Sequence, residues 1–217
     1  GRALVDVVQR ARDRGVTVYA DQYPYEASGT SIWAALVPAW AQEGGRQRFV
    51  GRVTGDERAK IRDGIAGNIA RRGGPSTLVI AGYAPDRTLE GRSLEDIARA
   101  RGVDPPDLVI DLLAAGDASL VSFNMSEDDI VRIMRQPWTM TCSDGELTEP
   151  GQGKPHPRGY GAFARKLAVY VRERGVLELP DAIRSMTSLP AAVFGLKDRG
   201  VIRRGARADL VVFDPDA

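Results

Sequence analysis

Asp144, His156, Arg158 and Tyr160 all fall in one stretch, Thr139 to Gly161, which carries too few apolar residues to form a core of its own. It opens with Met140 between the β-branched Thr139 and Thr141, a pattern that reads as a strand. Ser143, Asp144 and Gly145 end the strand, and a loop rich in Gly and Pro follows, with the chain's single histidine, His156. A carboxylate at a strand end followed by a polar loop is how α/β proteins present chemistry to a ligand. Asp144 has two readings: it caps the turn that Gly145 continues, or it takes and returns a proton. Arg158 also has two. Its forked, permanently charged guanidinium either receives a substrate carboxylate or makes a surface salt bridge. Tyr25, Ser28 and Tyr160 add hydroxyl donors, although the turn Tyr23-Pro24-Tyr25 also reads as packing around a rigid proline. As a set these residues suit an anionic small molecule.

Other chemistries find less support. No GxGxxG follows a strand, no phosphate-loop motif occurs, and there is no CxxC and no GxSxG elbow. One His and one Cys cannot supply the three nitrogen or sulfur ligands usual for catalytic zinc. Either the protein is not a metalloenzyme, or its ligands lie elsewhere in a longer chain. Cys142 reads as a small buried strand residue. A single cysteine excludes an internal disulfide and suits the cytoplasm, the expected compartment. Lys and Arg total 30 against 29 Asp and Glu, a net charge of +1, without the basic excess of a nucleic-acid binder. No apolar run has the length that spans a bilayer, so no membrane partner is expected.

The elements that would position these residues alternate between helix and strand. Leu4, Val7, Val8 and Ala11 share one face of a first helix that ends at Gly15. Val16 to Tyr19 then read as a buried strand, followed by a Ser/Gly/Thr turn, Ala27 to Ser31, with N–H and hydroxyl groups to offer a ligand. Asp56 to Arg72 reads as a charged surface helix, and Trp33 and Trp40 as packing residues. Thr77 to Tyr83 and Ala118 to Met125 are apolar runs of strand length. Ser93 is placed to cap a helix that begins with Glu95 and Asp96, and Ser126 with Asp129 resembles a capping box. Helices are also predicted over Asp107 to Ala115, Ala162 to Arg174 and Leu179 to Met186. Two short strands are predicted within Gly200 to Phe213. This order implies an α/β fold with a parallel sheet covered by helices, either a barrel or an open sheet. With 217 residues, 43% of them hydrophobic, a sizeable core is expected. An uncapped first helix and a last strand without a partner read as a piece of a longer protein.

Four segments carry a resemblance. They are VTVYADQYPYEASGTS (Val16 to Ser31), MTCSDG (Met140 to Gly145), PHPRGYGAFARKL (Pro155 to Leu167) and MTSLPAAVFGLKDRGVIRRGARADLVVFDPD (Met186 to Asp216). Together they resemble the D-aminoacylase, or N-acyl-D-amino-acid deacylase, family of the amidohydrolase superfamily. The resemblance implies the C-terminal part of a metal-dependent (β/α)₈ barrel with a mostly helical insertion and part of a small β-sandwich. Residues 1–31 and 117–195 would then be barrel, with strands near Val16 to Tyr23, Ala118 to Met125 and Thr139 to Ser143. Residues 32–116 would be the insertion, and 196–217 the return to the sandwich. It also implies zinc, with a zinc-bound hydroxide attacking the acyl carbonyl of an N-acyl-D-amino acid. Asp144 would deprotonate that water and then protonate the leaving amine, and is the one candidate metal ligand within this chain; Arg158, with Tyr25 or Ser28, would hold the substrate carboxylate. Tyr160 and His156 join the substrate-binding set.

Two departures stand beside this. The family's HxH pair, bridging cysteine and later histidine are absent from this chain, and Tyr23 replaces a histidine that some members carry. A cyclic amidase of the hydantoinase or dihydroorotase kind would share the barrel and the aspartate. The third reading is an isolated, inactive fragment that self-associates or pairs with a missing N-terminal half through its unpaired edges.

Overall fold

The computed structural model describes residues 1–147, 149, 151 and 153–215. Thr148, Pro150 and Gln152, in the loop between Asp144 and Arg158, lie outside the described residues, as do Asp216 and Ala217 of the expected sandwich return. In chain order the elements begin with α1 (Arg2–Asp13), β1 (Ala20–Gln22), β2 (Ser28–Ser31), α2 (Ile32–Leu36), α3 (Ala39–Gln42) and α4 (Gly45–Val53). Next come α5 (Arg58–Arg71), β3 (Leu78–Gly82), α6 (Leu94–Arg101), α7 (Pro105–Ala115), β4 (Ser119–Ser122) and α8 (Glu127–Met134). The last are β5 (Thr139–Thr141), α9 (Arg158–Arg165), a π-helical continuation (Lys166–Glu173), α10 (Leu179–Met186) and α11 (Ser188–Val193).

The chain divides into two compact units. One comprises Gly1–Glu26, Met125–Leu147 and Pro157–Ala217; the other comprises Ala27–Asn124 and Thr148–His156.

The second unit holds the larger core. Ile61, Ile65 and Ile69 recur every four residues along α5, so they share one face, and all three are buried. They meet Leu108, Val109 and Leu112 of α7 and the inward residues Leu78 and Ile80 of β3 in one cluster. Each such side chain contributes roughly 1.5–3 kcal/mol on burial. Arg58 and Arg62 of α5 both reach Asp107 of α7 at 2.9 Å, which pins the two helices at their rim. Ser93 caps α6 as predicted, accepting from the Asp96 N–H at 3.1 Å.

The sheets correct several expectations. β2, β4 and β3 form an antiparallel sheet with β4 in the middle. Ala118 to Met125 is therefore not a strand of a parallel barrel here, because its core, Ser119–Ser122, pairs antiparallel on both sides. Ser28 to Ser31, expected as a ligand-facing turn, is a strand whose residues are registered with Ser119 to Ser122.

In the first unit, β1 and β5 form a parallel pair with Ala20 opposite Thr139 and Gln22 opposite Thr141. The first strand starts later than predicted and is not buried: Val16 is 52% exposed. Ser126 precedes α8 without a side-chain cap. Ile130 and Met134 of α8 pack with Tyr170 of the π-helical stretch. No strand forms over Gly200 to Phe213, where Val211 and Val212 are 85% and 98% exposed. A β-branched run becomes a strand only when a neighbouring strand takes up its N–H and C=O groups.

Candidate active site

β5 delivers its last residue, Thr141, three positions before Asp144, and the chain turns sharply there. Asp144 has φ +47°, the one non-glycine with positive φ among the described residues. That conformation is costly for an L-residue, although Asp and Asn tolerate it best. Strain of this kind persists where the surroundings dictate it, and it clusters at functional sites.

The surroundings here are α9 and the tyrosines after β1. Arg158, the first residue of α9, places Nη1 3.0 Å from Asp144 Oδ2. The pair is asymmetric: the Arg158 side chain is 10% exposed and that of Asp144 is 62% exposed. The guanidinium is anchored, and the carboxylate faces outward. Arg158 also lies over the Tyr23 ring, 4.8 Å from its centroid, a cation–π contact. Burial pushes the Tyr23 phenol up, opposed by the charge of Arg158, so it stays a neutral donor near neutrality. Tyr23, where some members of the resembled family carry a histidine, thus serves as a platform for the arginine.

Tyr25 is arranged in a similar way. The Arg165 guanidinium, further along α9, sits 5.1 Å from its ring centroid and donates from Nε to Pro24 O at 2.8 Å. The Tyr25 hydroxyl donates to Pro157 O at 3.4 Å. A Cβ on Gly161 would come within 2.5 Å of that hydroxyl, so the glycine lets α9 pass over Tyr25. Tyr160 is 74% exposed.

Four sequence-derived candidates are therefore in one unit, Asp144, Arg158, Tyr25 and Tyr160, and the structure adds Tyr23 to them. Ser28 and His156 belong to the other. Ser28 donates to Asn124 Oδ1 at 3.3 Å. His156 Nε2 is 2.9 Å from Ala27 O, so Nε2 carries the proton and donates it. Cys142 is half-buried, and burial, with Asp21 and Asp144 nearby, pushes its thiol up. A neutral thiol is a poor nucleophile; Cys142 lies one residue past β5 and is only half-buried, so it is not the buried strand residue expected.

Sequence reasoning missed two groups. Lys166 is buried with Nζ on Thr141 and Ser185. Tyr170 donates to Glu127 Oε2 at 3.1 Å, and Arg174 pairs with the same carboxylate. Lys166 stands four residues before the buried Tyr170, about one helical turn away, which was the available signal.

The residues present do not by themselves fit a zinc centre. Among the described residues no group of three or more His, Cys, Asp or Glu could hold a metal ion, and Asp144 is engaged by Arg158. What the arrangement can do is hold a carboxylate still from one side while water and substrate reach it from the other. Such a group can accept a proton and return it without leaving its place.

The sequence profile of the amidohydrolase family matches residues 4–217. An N-acyl-D-glutamate deacylase of Alcaligenes xylosoxydans xylosoxydans is 37% identical over 209 residues, 96% of this chain and 34% of the relative. A D-aminoacylase of the same organism is 42% identical over 137 residues, 63% of this chain and 27% of the relative. A crystal structure of N-acyl-D-glutamate deacylase from Bordetella bronchiseptica, complexed with zinc and a phosphonate mimic of the tetrahedral intermediate, superposes with a TM-score of 0.72. It is 35% identical, across 99% of this chain and 37% of that one. A D-aminoacylase structure described for its binuclear metal centre gives a TM-score of 0.70 at 33% identity, over 99% of this chain and 37% of that one. The chain spans about a third of the length of the relatives it matches along most of its own length.

Proposed function

The chain belongs to the amidohydrolase family, and from that premise we propose that it is part of a zinc-dependent enzyme hydrolysing the acyl amide bond of N-acyl-D-amino acids. The observation that carries this reading is the outward-facing Asp144 carboxylate, held at positive φ and 3.0 Å from a buried arginine. In this reading Asp144 takes a proton from the attacking water and gives it to the leaving amine. Arg158 binds the substrate carboxylate, so that its fork serves two carboxylates at once. Tyr25 and Tyr160 contribute hydroxyls on the same unit, and Ser28 and His156 belong to the proposed substrate-binding set. Bound zinc would supply a Lewis acid, held mainly by residues outside this chain.

The parallel β1–β5 pair, with chemistry just past the end of β5, supports a (β/α)₈ barrel of which this chain is the C-terminal part. Residues 32–116 would be its helical insertion, and residues 196–217 would lead to a small β-sandwich. The apolar face of α1 supports a further covering element: no residue of α1 is buried, and Leu4 and Val7 are each 55% exposed. That element would be the remainder of the protein or a second copy.

The test is turnover of N-acyl-D-glutamate, N-acyl-D-aspartate and neutral N-acyl-D-amino acids by the full-length protein and its Asp144→Asn variant. Loss of about 10²–10⁴-fold in kcat is expected. A variant that keeps most of its activity, or a wild type inert on every such substrate, overturns the proposal.

A further inference from the structure

Lys166 has no part in the chemistry above, yet it is 2% exposed. Its Nζ donates to Thr141 Oγ1 at 2.7 Å and to Ser185 Oγ at 2.8 Å. The two hydroxyls are 2.9 Å apart, and Ser185 donates its own proton to Ala182 O at 2.7 Å. The proton count then closes one way. Thr141 donates to Ser185, and both hydroxyl oxygens turn lone pairs toward Lys166. The lysine therefore ties together β5, the helix that continues α9, and α10.

Burying an ammonium is expensive, and its partners here are hydroxyls, which return less than a carboxylate would. A methionine would fill the same volume without that cost. What the lysine adds is direction, since its bonds fix where β5 sits along the helix. We propose that Lys166 is a positioning residue for the Asp144–Arg158 pair, one of two cationic bridges that tie β5 and the residues just after it to α9 and its continuation.

The spacing supports this. From Thr141 to Asp144 the chain runs three residues past the end of β5, a reach of at most ~10 Å. From Arg158 to Lys166 eight residues of helix cover ~12 Å. The segment formed by β5 and the residues after it is thus joined to the helix at two points, by Lys166 to Thr141 and by Arg158 to Asp144. One bridge leaves the strand end able to rock against α9; two do not. A misplacement of about 1 Å can cost about 100-fold in rate, so a second attachment matters once Asp144 moves protons. In that respect the inference rests on the function proposed above.

The experiment uses the intact full-length protein and the substitutions Lys166→Met, Thr141→Val and Thr141→Ser. Hydrogen exchange followed by mass spectrometry should show residues 142–147 and 158–162 exchanging about 10-fold faster in K166M and T141V, and close to wild type in T141S. A purely structural role would raise exchange only around Lys166 and Ser185, and that pattern overturns the proposal. On the best N-acyl-D-amino acid, K166M and T141V should lose about 10-fold in kcat with KM within about twofold, and T141S should recover it. An unchanged kcat in K166M, or equal loss in T141V and T141S, also overturns it. If the wild type hydrolyses no such substrate, the functional reading fails, and the exchange pattern still decides the role of Lys166.

Discussion

Gly145 and Gly159 meet backbone to backbone: a Cβ on Gly145 would lie 2.2 Å from the Cα of Gly159. The residue after the strained aspartate and the residue after the buried arginine are thus pressed together, and the ion pair between Asp144 and Arg158 follows from that approach. Neither glycine is placed by a need for positive φ. Each is needed for what it lacks.

Substituting Gly145 by alanine should therefore force the two segments apart, because the obstacle is main chain and cannot swing aside. Overpacking of this kind costs about 1–3 kcal/mol. Gly51→Ala, in α4 with nothing within 4 Å of the added Cβ, should instead stabilise by roughly 0.5–1 kcal/mol from helix propensity. Urea midpoints of the two variants would separate the effects. Similar midpoints would show that the close approach at Gly145 is not maintained in solution.

Asp144 separates backbone from charge. Asn accepts the left-handed conformation nearly as well as Asp, and its Oδ1 can still receive Arg158 Nη1–H, so Asp144→Asn should unfold close to wild type. Asp144→Ala loses both advantages and should be about 1–2 kcal/mol less stable than D144N. Both variants should be inactive in the full-length enzyme. Equal denaturation midpoints for D144A and D144N would show that the conformation at residue 144 costs nothing.

Tyr170 is fully buried, and its hydroxyl donates to the Glu127 carboxylate. Burial, together with that carboxylate, pushes its phenol up to about 12. Tyr170→Phe keeps the ring in place between Ile130 and Met134 but removes a hydrogen bond to a charged acceptor, worth about 1.5–3 kcal/mol. Glu127 is partly solvated and also paired with Arg174, so the lower end of that range is expected. Thermal unfolding of Y170F checks this, and an unchanged midpoint would mean that water replaces the hydroxyl without loss.

The helices and the candidate site were legible in the sequence for local reasons. Ser93 caps α6 through a bond three residues away, and the α5 isoleucines repeat every four residues, so both signals fit within one turn of helix. The candidate residues stood out because Asp144 and Arg158 are in a stretch with little apolar content to explain them. Their direct pairing was not, since it depends on where β5 and α9 meet. Strand partners failed for the same reason. Ser119 to Ser122 reads equally well as a barrel strand or as the middle of an antiparallel sheet, and only pairing with β2 and β3 decides between them. Leu210 to Phe213 has strand composition and no strand beside it. Lys166 was hidden by its type, because a lysine on an apolar helix face reads as a solvated charge until its two hydroxyl partners, Thr141 and Ser185, are placed.

Lys166 also makes a prediction about pH. Burial pushes its ammonium down to about 8, below the ~10.4 of a lysine in an unfolded chain. Between those two values the unfolded chain holds a proton that the folded chain has released, so stability should rise with pH across that window. Below pH 8 both states are protonated and the desolvation cost is fully present; above ~10.4 both are neutral and it is gone. The whole interval corresponds to about 3 kcal/mol. Wild type and Lys166→Met should be compared by urea denaturation from pH 7 to 10.5, because Cys142 and the tyrosines titrate in both proteins and cancel in the difference. The wild type should gain on K166M by up to that amount as pH rises. Parallel curves would show that Lys166 reaches water in solution, and its attachment to Thr141 would then be too loose to hold β5.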